Sequence, residues 1–376
     1  MIADPGYRQC AAPCWDDGMI WATPLWDRRA VNAAGRALAA RTFPMEADQV
    51  LQIVNNWRSS HAFPLNSVQN GLRQRARRFE TNFDVAQRIK RLESIHAKLC
   101  RRQTESMRLT QMQDIGGCRV VFEHLPSVMG LVNLYKQKGG ENRFVGEKNY
   151  IEFPKSDGYR SYHLVYEYRG RREQVVFNDL KIEIQIRTRL QHAWATAVES
   201  VGLLTRQALK SNVGSSDWLR FFSLMSTAIA AMEYCPCVPG TPDDSGDLIA
   251  EISSLTGSLG IIDKLSAYNV TIDHFAKGSV KGAKYILLKL DFTARHVNYW
   301  SFKKSQSQRA NIMYTSLERE VKPEEDIQLV LVAVDSFAAL KRSYPNYFLD
   351  TTRFLDLVNK ALAGDFPTPI PCDEPA

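Results

Sequence analysis

The stretch that decides the fold reads Lys181-Ile182-Glu183-Ile184-Gln185-Ile186-Arg187-Thr188. Its isoleucines alternate with polar side chains, and a period of two predicts a β-strand with two unlike faces. Side chains two residues apart on a strand point the same way, so the isoleucines can enter a core while Glu183, Gln185 and Arg187 line the opposite face. That polar face contacts either water, as in an ordinary half-exposed strand, or a substrate.

The composition of the whole chain is that of a globular protein. Its 376 residues suffice for about two or three domains, and a content of 44% hydrophobic and 24% charged residues does not resemble that of disordered chains. No apolar run approaches the roughly 20 residues that span a bilayer, and the N-terminus has neither the basic nor the apolar region of a secretory signal. We therefore expect a cytoplasmic protein that makes no membrane contact.

The net charge of +7 favours anionic partners, either nucleotides or nucleic acid, without choosing between them. Seven cysteines, an odd number in a long chain, are more typical of reduced thiols than of disulfides. The pairs Cys10 with Cys14 and Cys235 with Cys237 lack the Cys-x-x-Cys spacing of structural zinc sites, so we expect no zinc centre.

Residues Asp84 to about Met107 are predicted to form one long amphipathic helix. Its apolar side chains share one stripe at helical spacing, at Val85, Ile89, Leu92, Ile95 and Leu99. A second stripe, at i, i+4 and i+8, consists of Lys90, Ser94 and Lys98. Arg88 lies near the border of the apolar stripe, where packing can hold a guanidinium while its flat face meets a ligand. The alternative is a basic helix face in contact with water.

The next informative segment places an acidic residue in front of a strand. Gly116 and Gly117 separate Asp114 from a β-rich run, and glycine permits a tight entry into a strand. Asp114 would then lie at the mouth of the strand, which suits a carboxylate that holds a hard cation, while Arg119 points to the same face as Val121. An aspartate before two glycines is also a common turn residue.

A turn with the sequence Pro-Lys-Ser-Asp-Gly-Tyr begins at residue 154 and follows a helix predicted from Ser127 to Lys138. Within nine residues, Lys155, Tyr159, Arg160 and His163 supply positive charge for phosphates and an aromatic surface for a base. The combination suits a nucleotide. The alternative is a hairpin with incidental surface residues.

Taken in order, these motifs resemble the synthetase motifs of the RelA/SpoT family. They are Arg88-x-Lys90 with Ser94 and Lys98, Asp114-Ile115 with Arg119, Tyr150-Ile151, Pro154-Lys155, Gly158-Tyr159 with His163, and Glu183 to Thr188. The resemblance covers roughly residues 50 to 210. The continuation Leu190-Gln191-His192-Ala193-Trp194-Ala195, with Glu199, is more similar to the small stand-alone alarmone synthetases than to the long bifunctional enzymes.

The resemblance implies an α/β (α+β) fold, a mixed sheet flanked by helices and related to nucleotidyltransferases. It also implies a pyrophosphokinase that moves the β,γ-diphosphate of ATP to the ribose 3'-hydroxyl of GTP or GDP, making the alarmones ppGpp or pppGpp with Mg²⁺ as cofactor. Asp114 and Glu183 would supply magnesium carboxylates from neighbouring strands. Glu183 is also a candidate base for the 3'-hydroxyl, and Gln185 would support the site.

The resemblance assigns roles to the remaining site residues. Arg88 and Arg119 match the positions that sandwich the ATP adenine, and Tyr159 matches the residue that stacks on the acceptor base. The positions that bind phosphates are matched or flanked by Lys98, Lys148, Lys155, His163 and Arg187. Lys90 and Ser94 complete the nucleotide-binding set.

Two departures from the family pattern bear on the choice of acceptor. Asn149 stands where the family usually has Asp, and Arg160 replaces a more usual neutral polar residue. An alternative function is therefore a toxin-like pyrophosphokinase that acts on the tRNA 3' end or makes adenosine alarmones. A further alternative is a catalytically silent nucleotide sensor. No histidine is followed by Asp, so the hydrolase motif of the family is missing and we expect synthesis without degradation.

We divide the chain into an N-terminal extension (1–45), a synthetase domain (46–235) and a C-terminal α+β module (240–376). The helical region 46–76 is expected to break near His61 to Pro64. Elements predicted in the C-terminal module are helices at Leu248 to Tyr268, Ser336 to Lys341 and Thr351 to Leu362, and strands at Lys284 to Phe292 and Ile327 to Val334. The module shows no catalytic constellation, so we expect it to regulate activity or bind a partner. The chain is also a candidate homo-oligomer.

Overall fold

The computed structural model of the protein describes residues 14–15, 19–40, 47–101, 107–137, 140–204, 216–265, 284–291, 296–321, 327–333 and 351–371. Its helices are α1 (Arg28–Ala40), α2 (Ala47–Ser60), α3 (Ala62–Ala76), α4 (Leu92–Leu99), α5 (Leu125–Gln137), α6 (Arg189–Leu204), α7 (Ser216–Met232), α8 (Ser245–Leu259), α9 (Ser307–Glu320) and α10 (Thr352–Leu362). Its strands are β1 (Cys14–Trp15), β2 (Met19–Ile20), β3 (Asp84–Ile89), β4 (Gly116–Phe122), β5 (Arg143–Asn149), β6 (Tyr162–Glu167), β7 (Lys181–Thr188), β8 (Tyr285–Asp291), β9 (His296–Phe302) and β10 (Ile327–Ala333). None of the helices in these ranges combines the length and the hydropathy that a bilayer-crossing segment requires.

A mixed sheet forms the centre of the fold, and its described strands follow the order β5-β6-β7-β4-β3-β10-β8-β9. β7 coincides with the alternating stretch; it runs parallel to β4 and antiparallel to β6. Ile182, Ile184 and Ile186 are fully buried, in a core that includes Leu72 of α3 and Leu131 of α5. The prediction of a mixed α/β sheet flanked by helices, with a two-faced strand inside it, is confirmed.

The single helix predicted from Asp84 to Met107 is wrong in its first half. Asp84–Ile89 form β3, which pairs with β4, and only α4 is helical. The apolar stripe combined two patterns, because Val85 packs on the isoleucine core whereas Ile95 enters a separate core with α1 and α2. Hydrogen bonding to β4 decides the conformation of this segment, and such long-range pairing overrides local periodicity. Residues 102–106 of the prediction lie outside the described ranges.

Two other predictions for this part of the chain are confirmed. α2 and α3 meet at His61, so the helical region breaks where expected, with Pro64 in the first turn of α3. Proline is tolerated there because the first turn of a helix does not use its N–H groups internally. The helix predicted from Ser127 to Lys138 is α5.

The helix predicted from Leu248 to Tyr268 is interrupted at Gly260, and residues 261–265 beyond it are helical again. α8 ends at Leu259, because Gly260 adopts a left-handed conformation with φ of +60° and its N–H donates to the carbonyl of Gly257. Glycine enters this conformation without the steric cost that other residues meet. Residues 266–268 lie outside the described ranges.

Strands β8 and β10 and helix α10 lie where they were predicted, whereas β9 and α9 were missed. The signals for both are present in the sequence. β9 is rich in aromatic and β-branched residues, and Ala310, Tyr314 and Leu317 of α9 recur at helical spacing. The helix predicted from Ser336 to Lys341 lies outside the described residues.

C-terminal elements pack directly on the region that carries the motifs. α8 and α10 share one core with α6 and α7, in which Phe221 and Phe222 lie with Leu248 and Phe354. β10 adjoins β3, with Ala333 beside Gln87. The domain boundary between residues 235 and 240 stays a prediction.

Candidate active site

Polar side chains from four strands lie in register on the sheet face opposite the isoleucines. Pairing of β4 with β7 places Arg119 beside Gln185, and pairing of β6 with β7 places His163 beside the same glutamine. β5 extends the row, because Lys148 pairs with His163. Directly paired residues point to the same face. Residues far apart in the sequence therefore meet in one row.

A second row on the same face contains Glu183, Gly117 and Arg88 as successive partners. A Cβ added to Gly117 would meet nothing within 4 Å, so the sheet surface between the carboxylate and the guanidinium is open. Arg88 lies on β3, not on a helix as predicted, and occupies a position diagonal to Arg119. Diagonal neighbours on antiparallel strands lie roughly 7–8 Å apart, which leaves room for one flat ring between two planar groups.

A cavity of about 410 Å³ lies over these rows. Every residue to which the family resemblance assigns a role in the site lines it. Among them are Lys90, which precedes α4, and Ser94 and Lys98, which lie on α4. The predicted basic stripe therefore faces this cavity, although the helix that carries it is shorter than expected.

Glu183 is largely buried, with both carboxylate oxygens hydrogen-bonded. His163 Nδ1 lies 3.1 Å from Oε1, and Gln185 Nε2 donates to Oε2 at 2.8 Å. Arg187 in turn donates to Gln185 Oε1 at 2.6 Å, which fixes the orientation of the amide. Burial would raise the pKa of Glu183, but His163 and Gln185 together lower it to about 2. Glu183 is therefore an ionised, firmly oriented carboxylate.

His163 connects Glu183 to Tyr159. Its Nε2 lies 2.9 Å from the hydroxyl of Tyr159, and its ring meets that of Tyr159 edge-on. A carboxylate can only accept, so Nδ1 of His163 carries the proton shared with Glu183. The imidazole thus ties the carboxylate on β7 to the turn that follows β5.

The charge of Asp114 is compensated by two lysines. Lys90 Nζ lies 2.7 Å from Oδ2, and Lys98 Nζ lies 3.0 Å from Oδ1. Burial would raise the pKa of Asp114, but the two ammonium groups hold it well below its usual range. Burial also lowers the pKa of Lys90, which the charge of Asp114 opposes. The carboxylate is ionised, and its partners are flexible side chains.

The two carboxylates fit Mg²⁺ in one particular way. Both are ionised and line the same cavity, and the charge of Asp114 acts on Glu183. Within the described ranges, no group of three or more His, Cys, Asp or Glu side chains could hold a metal ion. Mg²⁺ commonly uses one or two carboxylates and completes its shell with water and substrate phosphates. The pair therefore suits a magnesium ion that is bound together with a nucleotide.

The turn between β5 and β6 brings a lysine onto aromatic rings. Lys155 Nζ lies 4.7 Å from the ring centroid of Tyr150 and 5.2 Å from that of Tyr159. Gly158 makes the turn feasible, because its φ is +86° and a Cβ there would approach Ser226 to 2.8 Å. The turn predicted from the sequence is confirmed, with the lysine and the tyrosine both at the cavity.

The two departures from the family pattern serve the loop rather than the cavity. Arg160 is buried and donates to Ser226 Oγ, to the carbonyl of Ile151 and to that of Pro236. Asn149 accepts hydrogen bonds from two backbone N–H groups further along the loop. Neither residue lines the cavity, and their effect on the choice of acceptor stays a prediction. Both hold the loop that carries Lys155.

Helices α6 and α7 supply a wall of the cavity that the site prediction missed. His192, Thr196 and Glu199 of α6 line it, as do Leu219 and Phe222 of α7. The three α6 residues recur at i, i+4 and i+7 directly after β7, a helical spacing that could have identified them. The α7 residues had no such signal, because they reach the cavity only through packing of α7 on α6.

Comparison with known proteins places this region in a family. Residues 87–201 match the family model described as "Region found in RelA / SpoT proteins". GTP pyrophosphokinase YwaC of Bacillus subtilis strain 168 is 37% identical over 113 residues, which are 29% of this chain and 52% of the relative. GTP pyrophosphokinase YjbM of the same organism is 33% identical over 120 residues, 31% of this chain and 54% of the relative. The chain thus spans about half the length of the curated relatives it matches.

Among solved structures, small alarmone synthetase 1 from Bacillus subtilis bound to its product pppGpp is 22% identical, with a TM-score of 0.39. The match covers 46% of this chain and 89% of that one. The family-model match over residues 87–201, and not this structural similarity, shows that the chain carries a RelA/SpoT region, as its motifs predicted.

Proposed function

We propose that the RelA/SpoT region is a Mg²⁺-dependent pyrophosphokinase that transfers the β,γ-diphosphate of ATP to the ribose 3'-hydroxyl of GTP or GDP. One observation carries the proposal: two ionised carboxylates, Asp114 and Glu183, share a cavity with a diagonal pair of guanidinium groups and with several lysines. Diphosphate transfer needs this combination, because the protein must position polyanions and offset charge. The names of both curated relatives support the assignment.

The donor half contains Arg88, Arg119, Lys90, Lys98 and Asp114. The two arginines would stack on the adenine of ATP, for which planar cations on diagonal positions are suited. Lys90 and Lys98 would exchange Asp114 for phosphate oxygens, since an ammonium on a flexible stem turns between neighbouring acceptors at small cost. Mg²⁺ held by the two carboxylates of the site would supply the charge compensation for the transferred phosphates.

Glu183 is better suited to hold a cation than to remove a proton. A general base is most effective when its pKa lies near the working pH, whereas the pKa of Glu183 is about 2. Its donors Gln185 and His163 also leave it in a fixed orientation. We therefore assign Glu183 the role of metal ligand, with Gln185 as its support.

The acceptor half contains Tyr159, Lys155, Lys148, His163 and Arg187. The guanine would stack on Tyr159, which requires the ammonium of Lys155 to leave the ring face and meet the acceptor phosphates instead. Arg187 lies 5.9 Å from the same ring centroid and adds positive charge. This half would hold the 3'-hydroxyl toward Glu183.

The test is a transfer assay with ATP labelled in its γ-phosphate. Purified protein and Mg²⁺ are offered GDP, GTP, AMP or tRNA in turn. Label is expected on GDP and GTP, and Glu183→Gln is expected to abolish it. Label on tRNA or AMP alone would replace the proposed acceptor, and label on no acceptor would contradict the proposed activity.

A further inference from the structure

A buried ionic contact joins the C-terminal helix α9 to α2. Arg58 of α2 is 3% exposed, and its Nη1 donates to Glu318 Oε2 at 3.0 Å. Its Nη2 lies 3.4 Å from Glu318 Oε1 and 3.3 Å from the hydroxyl of Tyr314. The guanidinium also lies 5.6 Å from the ring centroid of Tyr314. One arginine therefore engages two residues of α9.

The same guanidinium reaches the end of β3, where the donor half begins. Arg58 Nε donates to the backbone carbonyl of Lys90 at 3.0 Å. The N–H of Lys90 donates to the carbonyl of Ile115 at 2.8 Å, and its ammonium contacts Asp114. Lys90 is thus held by its carbonyl, its N–H and its side chain, and the first of these contacts depends on Arg58.

Arg58 can hold this position only while its charge is compensated. A buried guanidinium that loses its carboxylate partner still bears the cost of desolvation but no longer has the compensating ionic attraction. Its side chain therefore turns toward water or other acceptors. Besides Glu318, its Nη1 contacts the neutral Asn55 at 2.6 Å, which supplies no charge. The orientation of Nε toward Lys90 therefore depends on α9.

We propose that Glu318 and Tyr314 are positioning residues for the donor half, which hold Lys90 beside Asp114 through the buried guanidinium of Arg58. The proposal rests on the proposed function, in which Lys90 meets the phosphates of ATP. The C-terminal module then contributes to ATP affinity although none of these α9 residues lines the active-site cavity.

The first variant is Glu318→Gln, which keeps the shape of the side chain and removes its charge. KM for ATP is expected to rise about tenfold, since a hydrogen bond to a charged group contributes on this scale. kcat and KM for the acceptor are expected to stay unchanged. Glu320→Gln is the matched control, because Glu320 lies on the same helix, is exposed and contacts Ser316. Tyr314→Phe should give a smaller rise, since its hydroxyl lies 3.3 Å from Nη2 of Arg58 and carries no charge.

A second variant separates positioning from stability. Arg58→Met combined with Glu318→Met replaces the ion pair by apolar side chains, which often preserves or improves stability. It removes the bond to the Lys90 carbonyl, so the raised KM for ATP is expected to persist at unchanged thermal stability. Wild-type KM for ATP in this folded double variant would overturn the proposal.

Two readouts without turnover distinguish failure of this proposal from failure of the proposed function. Binding of the analogue AMPCPP with Mg²⁺, measured by calorimetry, is expected to weaken about tenfold in Glu318→Gln. Hydrogen exchange of the amide of Lys90 is expected to quicken relative to Glu320→Gln. If wild-type protein transfers no diphosphate, the proposed activity is wrong. Unchanged hydrogen exchange of the Lys90 amide in Glu318→Gln would overturn the positioning role whether or not the protein is active. Faster exchange with unchanged AMPCPP affinity would overturn it as well.

Discussion

Buried ionisable groups on the two faces of the central sheet have opposite charge states, although burial disfavours charge on both faces. On the isoleucine face, where His61 and Ile182 both adjoin Gly116, His61 and Cys118 are neutral, because burial lowers the pKa of His61 to about 4 and raises the pKa of Cys118. On the polar face burial also disfavours charge, yet Glu183 has a pKa of about 2 because His163 and Gln185 stabilise its ionised form. Partners placed by strand register, rather than exposure to water, keep the polar face charged.

The largest effect should come from removing charge on the polar face. Glu183→Gln is expected to lower kcat/KM for diphosphate transfer by at least about 1000-fold, or about 4 kcal/mol, because the carboxylate that we propose as a Mg²⁺ ligand is lost. The free energy of unfolding should fall as well, since His163 and Gln185 stabilise the ionised form of Glu183, but the folded variant should still lack transfer. The label-transfer assay and urea unfolding measure the two quantities. Retained transfer would show that the charge of the polar face does not serve catalysis.

A substitution on the isoleucine face should reduce stability without reducing the activity of the folded protein. Ile186→Ala, at a fully buried position, is expected to reduce the free energy of unfolding by about 3–4 kcal/mol through lost burial and a cavity. kcat of the folded protein should be retained. The control is Val175→Ala, at a side chain that is 52% exposed, which should cost under about 0.5 kcal/mol. Urea unfolding of the variants checks both values, and equal losses would contradict the assignment of faces.

Acid should destabilise the isoleucine face through His61. Its folded pKa of about 4 lies below the ordinary 6.5, so between these values the unfolded state binds more protons and stability falls as the pH falls. The loss would reach about 3 kcal/mol at most near pH 4, and above pH 6.5 this histidine contributes no pH dependence. Unfolding measured across this range should show the slope.

His61→Asn provides the control for that slope. His61 Nδ1 lies 2.7 Å from the carbonyl of Trp57, and the asparagine amide can donate to the same acceptor without titrating. The slope between pH 6.5 and 4 should therefore flatten. A slope that persists unchanged would assign the acid sensitivity to other groups.

The smallest effect should come from one of the two cations on Asp114. Lys98→Met is expected to raise KM for ATP about tenfold, because one of the two proposed phosphate contacts is lost while that of Lys90 remains. Initial rates at varied ATP measure it. Lys136→Met serves as the control, since Lys136 pairs with Glu147 on the surface. An equal rise in both variants would indicate a general effect of net charge rather than a donor site.

Much of the candidate site could be predicted from sequence because its polar side chains occur in short motifs. Alternation identified β7, and the type and order of the side chains identified residues that line one cavity. The conformation of residues 84–89 could not be predicted in the same way, since the apolar side chains of this segment fit a helical stripe as well as a strand. Pairing with β4 decided between them.

The sequence by itself determined the period of β7 and the chemical character of the residues around it. Tertiary structure alone decided that Glu183 meets His163 and Gln185 while Asp114 meets two lysines, that Arg160 is buried in the loop, and that α9 reaches Lys90 through Arg58. The physical reason is the sequence distance over which each property is determined. Side-chain periodicity is set by local backbone geometry, whereas the charge state and orientation of a buried group depend on partners that only strand register and helix packing bring within a few ångströms.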